Sequence, residues 1–599
     1  MKLAIPFLPG IVHGSLLPLV VILTAEPLLA RPVPDEAVRA AEEARIATIA
    51  RASAAAVAVF DTAGQGGGSG VVISPDGYAL TNFHVVAACG PGMKCGLPDG
   101  RIYDAVIVGI DPTGDVALIQ LLGRDDFPHA PWGDSDAARV GDWAFTVGNP
   151  FLLAYDFQPS VAWGMISGTH RYQYPAGTLL EYADCIQTDA SINPGNSGGP
   201  LFDATGNLIG INGRGSFEKR GRVNVGAAYA ISINQIRNFL GYLHSGRIVD
   251  HATLGATVAT DPEGGVSVTN ILESSDAYRR GLRYSAEVLE IDGRVVQTAN
   301  DVQNVLATLP SGWRVKLTYR LEGETKDTLV RLMSVHQEDE LLEKMAGALP
   351  PPPPRKQDKK KDDEGEEEKD AAPTVDSKYP KTVRQLVERK GYANYHFNLV
   401  QQDRFITAIR DQFPGGKQDE DIAWVIEGET DEAEPRKALL RVTSGNMAML
   451  IGDQSIEADT KADLYDEVSG RSIAGILPAL DAWRRMIAEG PKKFGETYYL
   501  GSMPLGGERP LRDCIVGIDA EFEVRWLYHP HSELVEAIEV FADRDQDPAE
   551  LWLIRENASD PKPTFLELRY GLEKVLRLRV KSWQRVPESE LKQATKEKA

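Results

Sequence analysis

Between Ala54 and about His244 the chain is written in short β-branched runs: Ala56–Phe60, Gly70–Ile73, Ala105–Ile110, Ala117–Leu122 and Leu208–Ile211. Gly, Pro, Asp and Asn turns separate them. Runs of this length between such turns predict an all-β double barrel or sandwich rather than alternating β and α units.

With 599 residues the chain exceeds what one hydrophobic core serves, and its texture changes along its length. Residues 31–53 lead in with a helix, since Asp35–Ala50 is rich in Ala, Glu and Arg and lacks Gly and Pro. A second β-rich unit covers 250–336, with strands near Leu254–Ala259, Val266–Ile271, Glu287–Ile291 and Val315–Arg320 and a helix over Ala299–Thr308. Residues 348–378 then run through Pro350–Pro354 into mixed Lys, Asp and Glu, a composition that buries no apolar surface and reads as a disordered linker. Globular texture returns over 379–590. Helices are expected at Thr382–Arg389, Arg404–Gln412 and Ile476–Ala488, and strands at Ala438–Ile451, Cys514–Trp526 and Leu551–Ile554, an α+β domain built on an antiparallel sheet.

A formal net charge of −22 repels phosphate backbones, so nucleic acid is not expected as a partner. The ten histidines form no HExxH motif and no paired CxxC spacing is present, so neither a metal nor a cofactor is called for. Residues 1–30 carry Lys2, an apolar run from Leu16 to Ala25 broken by Pro18, and Ala30 before Arg31, the pattern of a secretory signal peptide. The run is shorter than the ~20 residues of a spanning helix, which disfavours the rival reading, a retained anchor. Cleavage after Ala25 and after Ala30 both fit. An exported chain permits disulfides, and Cys89 and Cys95 in one Gly/Pro-rich loop are expected to pair, the alternative being two free thiols. Cys185 and Cys514, in apolar runs, read as buried core thiols.

The chemistry centres on Gly195-Asn196-Ser197-Gly198-Gly199-Pro200. A serine hydroxyl needs a base in hydrogen-bond reach and donors for the oxyanion formed by its attack. Glycines around Ser197 open backbone conformations that aim the Gly195 and Ser197 amides at one oxygen. His84 follows the turn Ser74–Gly77 and the run ending at Thr81, the place for a base. Asp115, heading the apolar run Val116–Ile119, is the carboxylate that would fix the histidine tautomer.

The segments GSGVVISPDGYALTNFHVV, GIDPTGDVALIQL and IQTDASINPGNSGGPL resemble the HtrA/Deg family of secreted serine proteases over residues 68 to 242. The resemblance implies a chymotrypsin-like double β-barrel over 54–246 and a His84, Asp115, Ser197 triad acting through an acyl-enzyme. Digestive trypsins carry Asp before the serine, where this chain has Asn196, so gating by loop order is expected rather than activation by a new N-terminus. Ser191 stands where trypsins hold a specificity carboxylate, which disfavours cleavage after Lys or Arg. By similarity Ile192 lines the first specificity pocket, set for a small aliphatic residue, and the strand Gly226–Ile231 pairs with the substrate backbone, with Ala228 where glycine is usual. Thr253-Leu254-Gly255-Ala256, followed by DAYRRGL and EVLEIDGRVV, resembles a PDZ domain whose amides near Leu254 and Gly255 hold a peptide C-terminus. The expected Gly-Asp there is replaced by Ser285-Ala286.

Further implied are a homo-trimer or larger assembly and a periplasmic quality-control role on unfolded or damaged polypeptides. A non-enzymatic chaperone or scaffold and a regulatory protease with one client recruited by residues 379–590 are the competing readings. That last region carries no motif tied to chemistry: His529 and His531 flank a proline, and the alternation over Glu521–Tyr528 suits a half-exposed sheet.

Overall fold

The computed structural model describes residues 35–64, 67–87, 89–149, 156–173, 180–217, 224–337, 340–342, 379–388, 390–412, 422–459, 471–491, 494–519, 522–558 and 560–591. The expected signal peptide and linker therefore lie outside the described residues. The N-terminal helix α1 (Asp35–Ser53) has Asp35 and Glu36 in its first turn and Arg51 in its last, charges that complement the helix dipole.

Two closed six-stranded barrels follow. The first joins β1 (Ala56–Phe60), β2 (Gly68–Val72), β3 (Tyr78–Thr81), β4 (Gly92–Gly96), β5 (Ile102–Asp111) and β6 (Val116–Leu121) in the order β1-β2-β3-β6-β5-β4. The second joins β7 (Trp143–Gly148), β8 (Ser160–Gln173), β9 (Tyr182–Thr188), β10 (Pro200–Asp203), β11 (Leu208–Phe217) and β12 (Asn224–Ser232) in the order β10-β11-β12-β9-β8-β7. Closure gives each strand a neighbour on both sides, and strands of unequal length leave edge only at their ends. Val59, Val72, Ile107 and Ile119 fill the first barrel. Val71, Leu118, Phe145 and Ile211 belong to a core shared by both. The mainly β, chymotrypsin-like double barrel is the fold of this region. Two short helices matter to it: α2 (Phe83–Val86), between β3 and β4, and α3 (Ile233–His244), after β12.

A third sheet orders Ala256–Thr260, Val266–Ile271, Glu287–Ile291, Arg314–Leu321 and Glu324–Arg331, with Arg294–Val295 paired to the third of these. Its helix Ala299–Leu306 is started by a capping box between Thr298 and Asp301 and ends two residues before the expected Thr308. An eleven-stranded antiparallel sheet spans Ile422–Pro587 and carries the helix Ile476–Ala488 on one face. Alternation along Glu508–Asp519 separates two cores: Cys514 and Val516 join the one that runs through both barrels and the third sheet, while Ile515 joins Trp483 beneath the helix.

Expected elements shifted here. The single strands Ala438–Ile451 and Cys514–Trp526 are each hairpins, Lys437–Val442 with Asn446–Ile451 and Glu508–Asp519 with Phe522–Tyr528. In the first, Thr443 Oγ1 accepts the Asn446 amide at 2.9 Å and closes the turn. The helix expected at Thr382–Arg389 is Lys381–Gln385, and that at Arg404–Gln412 begins earlier, at Tyr395.

Polar contacts fix this last region to the rest. Asn394 Nδ2 donates to the Ile107 carbonyl of β5 at 2.8 Å, and Trp313 Nε1 donates to the Ser502 carbonyl at 3.1 Å. Buried Arg314 donates to Glu550 at 2.7 Å and Glu539 at 2.5 Å.

Candidate active site

The candidate residues come from both barrels, His84 and Asp115 from the first and Ser197 from the loop before β10 of the second. β3 ends at Thr81, whose hydroxyl donates to the Ser69 carbonyl at 2.7 Å, and the chain then turns into α2. Asn82 Nδ2 and the Phe83 amide both donate to the Asp115 carbonyl, at 2.9 and 3.2 Å. These bonds aim His84 at the Asp115 side chain. Its Nδ1 lies 2.8 Å from Oδ2 and 3.0 Å from Oδ1, and its backbone amide donates to Oδ1 at 3.0 Å.

Asp115 is fully buried and sits at φ 58°, a left-handed conformation that costs a non-glycine residue. Asp111 supports that turn by accepting the Thr113 and Gly114 amides at 3.1 and 2.7 Å. The phenol of Tyr182 donates to Asp115 Oδ2 at 2.5 Å. Burial acts to lower the His84 pKa, and the hydrogen bond and charge of Asp115 outweigh it, so the imidazole titrates above its ordinary 6.5.

The serine turn is tied down at its edges. The Asn196 amide donates to Asn193 O at 2.9 Å, that of Gly198 to Asn212 O at 2.8 Å, and that of Ser69 to Ser197 O at 2.8 Å. Ser69 Oγ donates to the Gly195 carbonyl at 2.7 Å and accepts the Asn149 amide at 2.9 Å. Gly198 has φ +83°, and a Cβ there would lie 2.2 Å from Ser69 O and 2.3 Å from Thr81 Oγ1, so only glycine lets the turn approach β3 this closely. That approach brings Ser197 to the His84 segment: a Cβ on Gly68 would meet both Ser197 O and a Val85 methyl carbon at 2.7 Å. Among the described residues, neither the Gly195 nor the Ser197 amide donates to a protein acceptor. Ser197 Oγ donates to the Gly213 carbonyl at 3.4 Å, and no hydrogen bond joins it to His84 among the described residues. Such bonds commonly tighten only when substrate is bound.

Other expected residues fall differently. Ile192 is buried, and so is Ala228. Ala228 of β12 pairs with Gly215 of β11 on one side and Thr188 of β9 on the other, so at Ala228 the strand has no edge for a substrate backbone. Among the described residues β11 has no strand partner on its β10 side beyond Ile211, since β10 begins at Pro200, and there the Gly213 carbonyl accepts from Ser197 Oγ. Leu254 is buried, and the Gly255 amide already donates to Thr253 Oγ1 at 3.1 Å, so of the two expected carboxylate-binding amides that of Gly255 must first be released. Cys89 and Cys95 do not pair. They are free, buried thiols in the core of the first barrel, Cys89 Sγ directed back to the Val85 carbonyl at 3.6 Å and its pKa pushed up to about 11 by burial. Cys185 and Cys514 are free and buried, as expected.

Ser69, Asn82, Tyr182 and Gly213 escaped the sequence reading. Each acts across a long stretch of chain, and only Ser69 and Asn82 lie inside the motif segments. A cavity of about 1130 Å³ is lined by Asp134, Asp184, Arg237, Asp292, Arg294 and Arg509 among others and contains none of the residues His84, Asp115 and Ser197. Among the described residues no group of three or more His, Cys, Asp or Glu is arranged to hold a metal ion.

The family model for a trypsin-like peptidase domain matches residues 68–211, a span that includes His84, Asp115 and Ser197. Curated relatives include a probable periplasmic serine endoprotease, DegP-like, of Chlamydia trachomatis, 35% identical over 296 residues that make up 46% of this chain and 56% of the relative. The corresponding protein of Pseudomonas putida is 33% identical, with 47% of this chain and 58% of the relative covered. The chain thus spans little more than half the length of the curated relatives it matches. A solved structure of the HtrA-type protease AlgW with a tripeptide is 32% identical, covering 49% of this chain and 98% of that one at a TM-score of 0.41. The serine endoprotease from Yersinia pestis is 26% identical, with 49% and 98% covered and a TM-score of 0.36. The chain carries a trypsin-like peptidase domain and is HtrA/DegP-like over the portion these relatives cover, with a C-terminal region beyond it.

Proposed function

We propose that the protein is a serine endopeptidase, with the hydrogen-bonded His84–Asp115 pair, beside whose segment the Ser197 turn packs, as the observation that carries the reading. Ser197 Oγ attacks the scissile carbonyl carbon while His84 takes the hydroxyl proton at Nε2. Asp115 holds the Nδ1 proton in place and offsets the imidazolium charge. The carbonyl oxygen, now carrying the negative charge, receives the free amides of Gly195 and Ser197. Collapse of this intermediate breaks the C–N bond, the leaving amine takes the proton from His84, and an ester to Ser197 remains. A water, deprotonated by His84, then repeats the sequence and releases the acid.

An extended substrate fits the open edge of β11 at Gly213, with Ile192 beneath the side chain preceding the cut. Ser191 supplies no charge there, which supports a small aliphatic residue at that position. The third sheet, with Leu254 and Gly255 just before its edge strand Ala256–Thr260, supports a PDZ-like module for substrate C-termini. The leader pattern in residues 1–30 and the names of the relatives support a periplasmic location, and with it the removal of unfolded or damaged polypeptides by a homo-oligomer.

Mapping the cuts made in unfolded casein tests this reading. Cuts after Val and Ala that vanish in Ser197→Ala are expected. Cuts after Lys and Arg would contradict the specificity, and no Ser197-dependent cuts would favour a non-catalytic scaffold.

A further inference from the structure

We propose that Tyr182 is a positioning residue for the His84–Asp115 pair, supplying from the second barrel the hydrogen bond that fixes the carboxylate of the first. The proposal rests on Ser197 being the nucleophile.

Asp115 Oδ1 is held by the His84 amide, whereas among the described residues Oδ2 is bonded by side chains, His84 Nδ1 at 2.8 Å and the Tyr182 phenol at 2.5 Å. Tyr182 is buried, so its phenol has exchanged water for the carboxylate, and a hydrogen bond to a buried charge is among the stronger ones. The room for the ring comes from Gly213. A Cβ at Gly213 would lie 2.4 Å from Tyr182 Cε1, an overlap no side chain could make. The φ of Gly213 is not in the left-handed region, so glycine serves space here and not backbone conformation. The strand is also held from beyond the barrels. Two residues after Tyr182, the Asp184 amide donates to Asn304 Oδ1 at 2.9 Å, and its carboxylate is bound by His170 Nδ1 at 2.8 Å and Arg294 at 3.0 Å. Asn304 also donates to the His170 carbonyl at 3.0 Å. The phenol is thus held between two anchors, Asn304, His170 and Arg294 outside the first barrel and, one residue before it, the Glu181 amide that donates to the Thr113 carbonyl of the Asp115 turn at 2.8 Å.

The phenolic proton points at Asp115 and partly neutralises the field that the carboxylate exerts on His84. Removing it leaves the carboxylate freer to rotate and its charge less compensated. The first effect slows proton transfer, and the second raises the pH at which His84 becomes a free base.

The test is hydrolysis of a Val-containing peptide by the full chain and by Tyr182→Phe, read from pH 5 to 9, with Ser197→Ala as blank. The expected result is a kcat lowered about tenfold, an unchanged KM, and a midpoint of the pH profile moved upward by about half a unit. A folded Tyr182→Phe with the kcat and midpoint of the unsubstituted chain overturns the assignment. Failure of the unsubstituted chain to hydrolyse any peptide overturns the Ser197 reading instead, so the two failures are distinct. Should Tyr182→Phe not fold, Gly213→Ala takes its place, because its methyl displaces the ring while keeping the phenol. Because Gly213 also borders the proposed substrate edge, only the midpoint is read for this variant: an upward shift is expected, and an unshifted midpoint contradicts the proposal.

Discussion

Asp115 combines two costs, a fully buried charge and a left-handed backbone, and each is met locally. The His84 amide and ring and the Tyr182 phenol surround the carboxylate, while Asp111 holds the turn. If that arrangement serves His84, then Asp115→Asn, which keeps the shape and loses the charge, should lower kcat on the order of ten-thousand-fold with little change in the unfolding temperature. His84 acts as a base only when neutral, and Asp115 lifts its pKa above 6.5. Activity is therefore expected to rise with pH through a midpoint above 6.5, and Asp115→Asn should bring that midpoint down. The same shift gives the folded state a contribution that is full below the unfolded histidine value and is lost as pH rises through the folded one. Profiles of kcat/KM for the two proteins check the midpoints, and thermal unfolding measured against pH checks the stability.

At the scale of elements, the strands and helices were legible where turn chemistry and periodicity agreed. The helix Ile476–Ala488 carries a continuous apolar face and was read end to end. The hairpin at Asp519–Phe522 was not, since apolar residues flank it on both sides and neither Gly nor Pro marks the reversal. The triad candidates were legible because each lies in a short, distinctive segment. Tyr182 was not, because its partner is 67 residues away and only the closing of two barrels brings them together. The same reason hid the pairing of β12: it reads as a strand, but that neighbours flank it on both sides is a property of the closed ring. Buried contacts between elements also set a stability prediction. Arg314 satisfies Glu539 and Glu550, all three buried, so Arg314→Ala leaves two uncompensated carboxylates. A loss of about 3–5 kcal/mol in unfolding free energy is expected, measured by denaturant titration. A change under 1 kcal/mol would contradict the account.

Across the whole molecule, residues 379–591 do not form a separate bead. They share one apolar core with both barrels and the third sheet, and Tyr379 and Asn394 bond the first barrel near the His84 segment, at Cys89 O and Ile107 O. The acidic net charge and modular texture were readable in advance, but this docking was not, because the packed faces have no motif. A chain ending before residue 379 should expose Trp313 and Tyr242, bind an apolar dye and unfold at lower temperature, whereas unchanged melting without dye binding would show that the docking contributes nothing. The central claim is that the Ser197 turn and the His84–Asp115 pair form one working site. Fluorophosphonate labelling of the full-length protein at pH 8 tests it most directly. Stoichiometric labelling on Ser197, abolished in Ser197→Ala, is the predicted result, and a folded protein that takes up no label would contradict it.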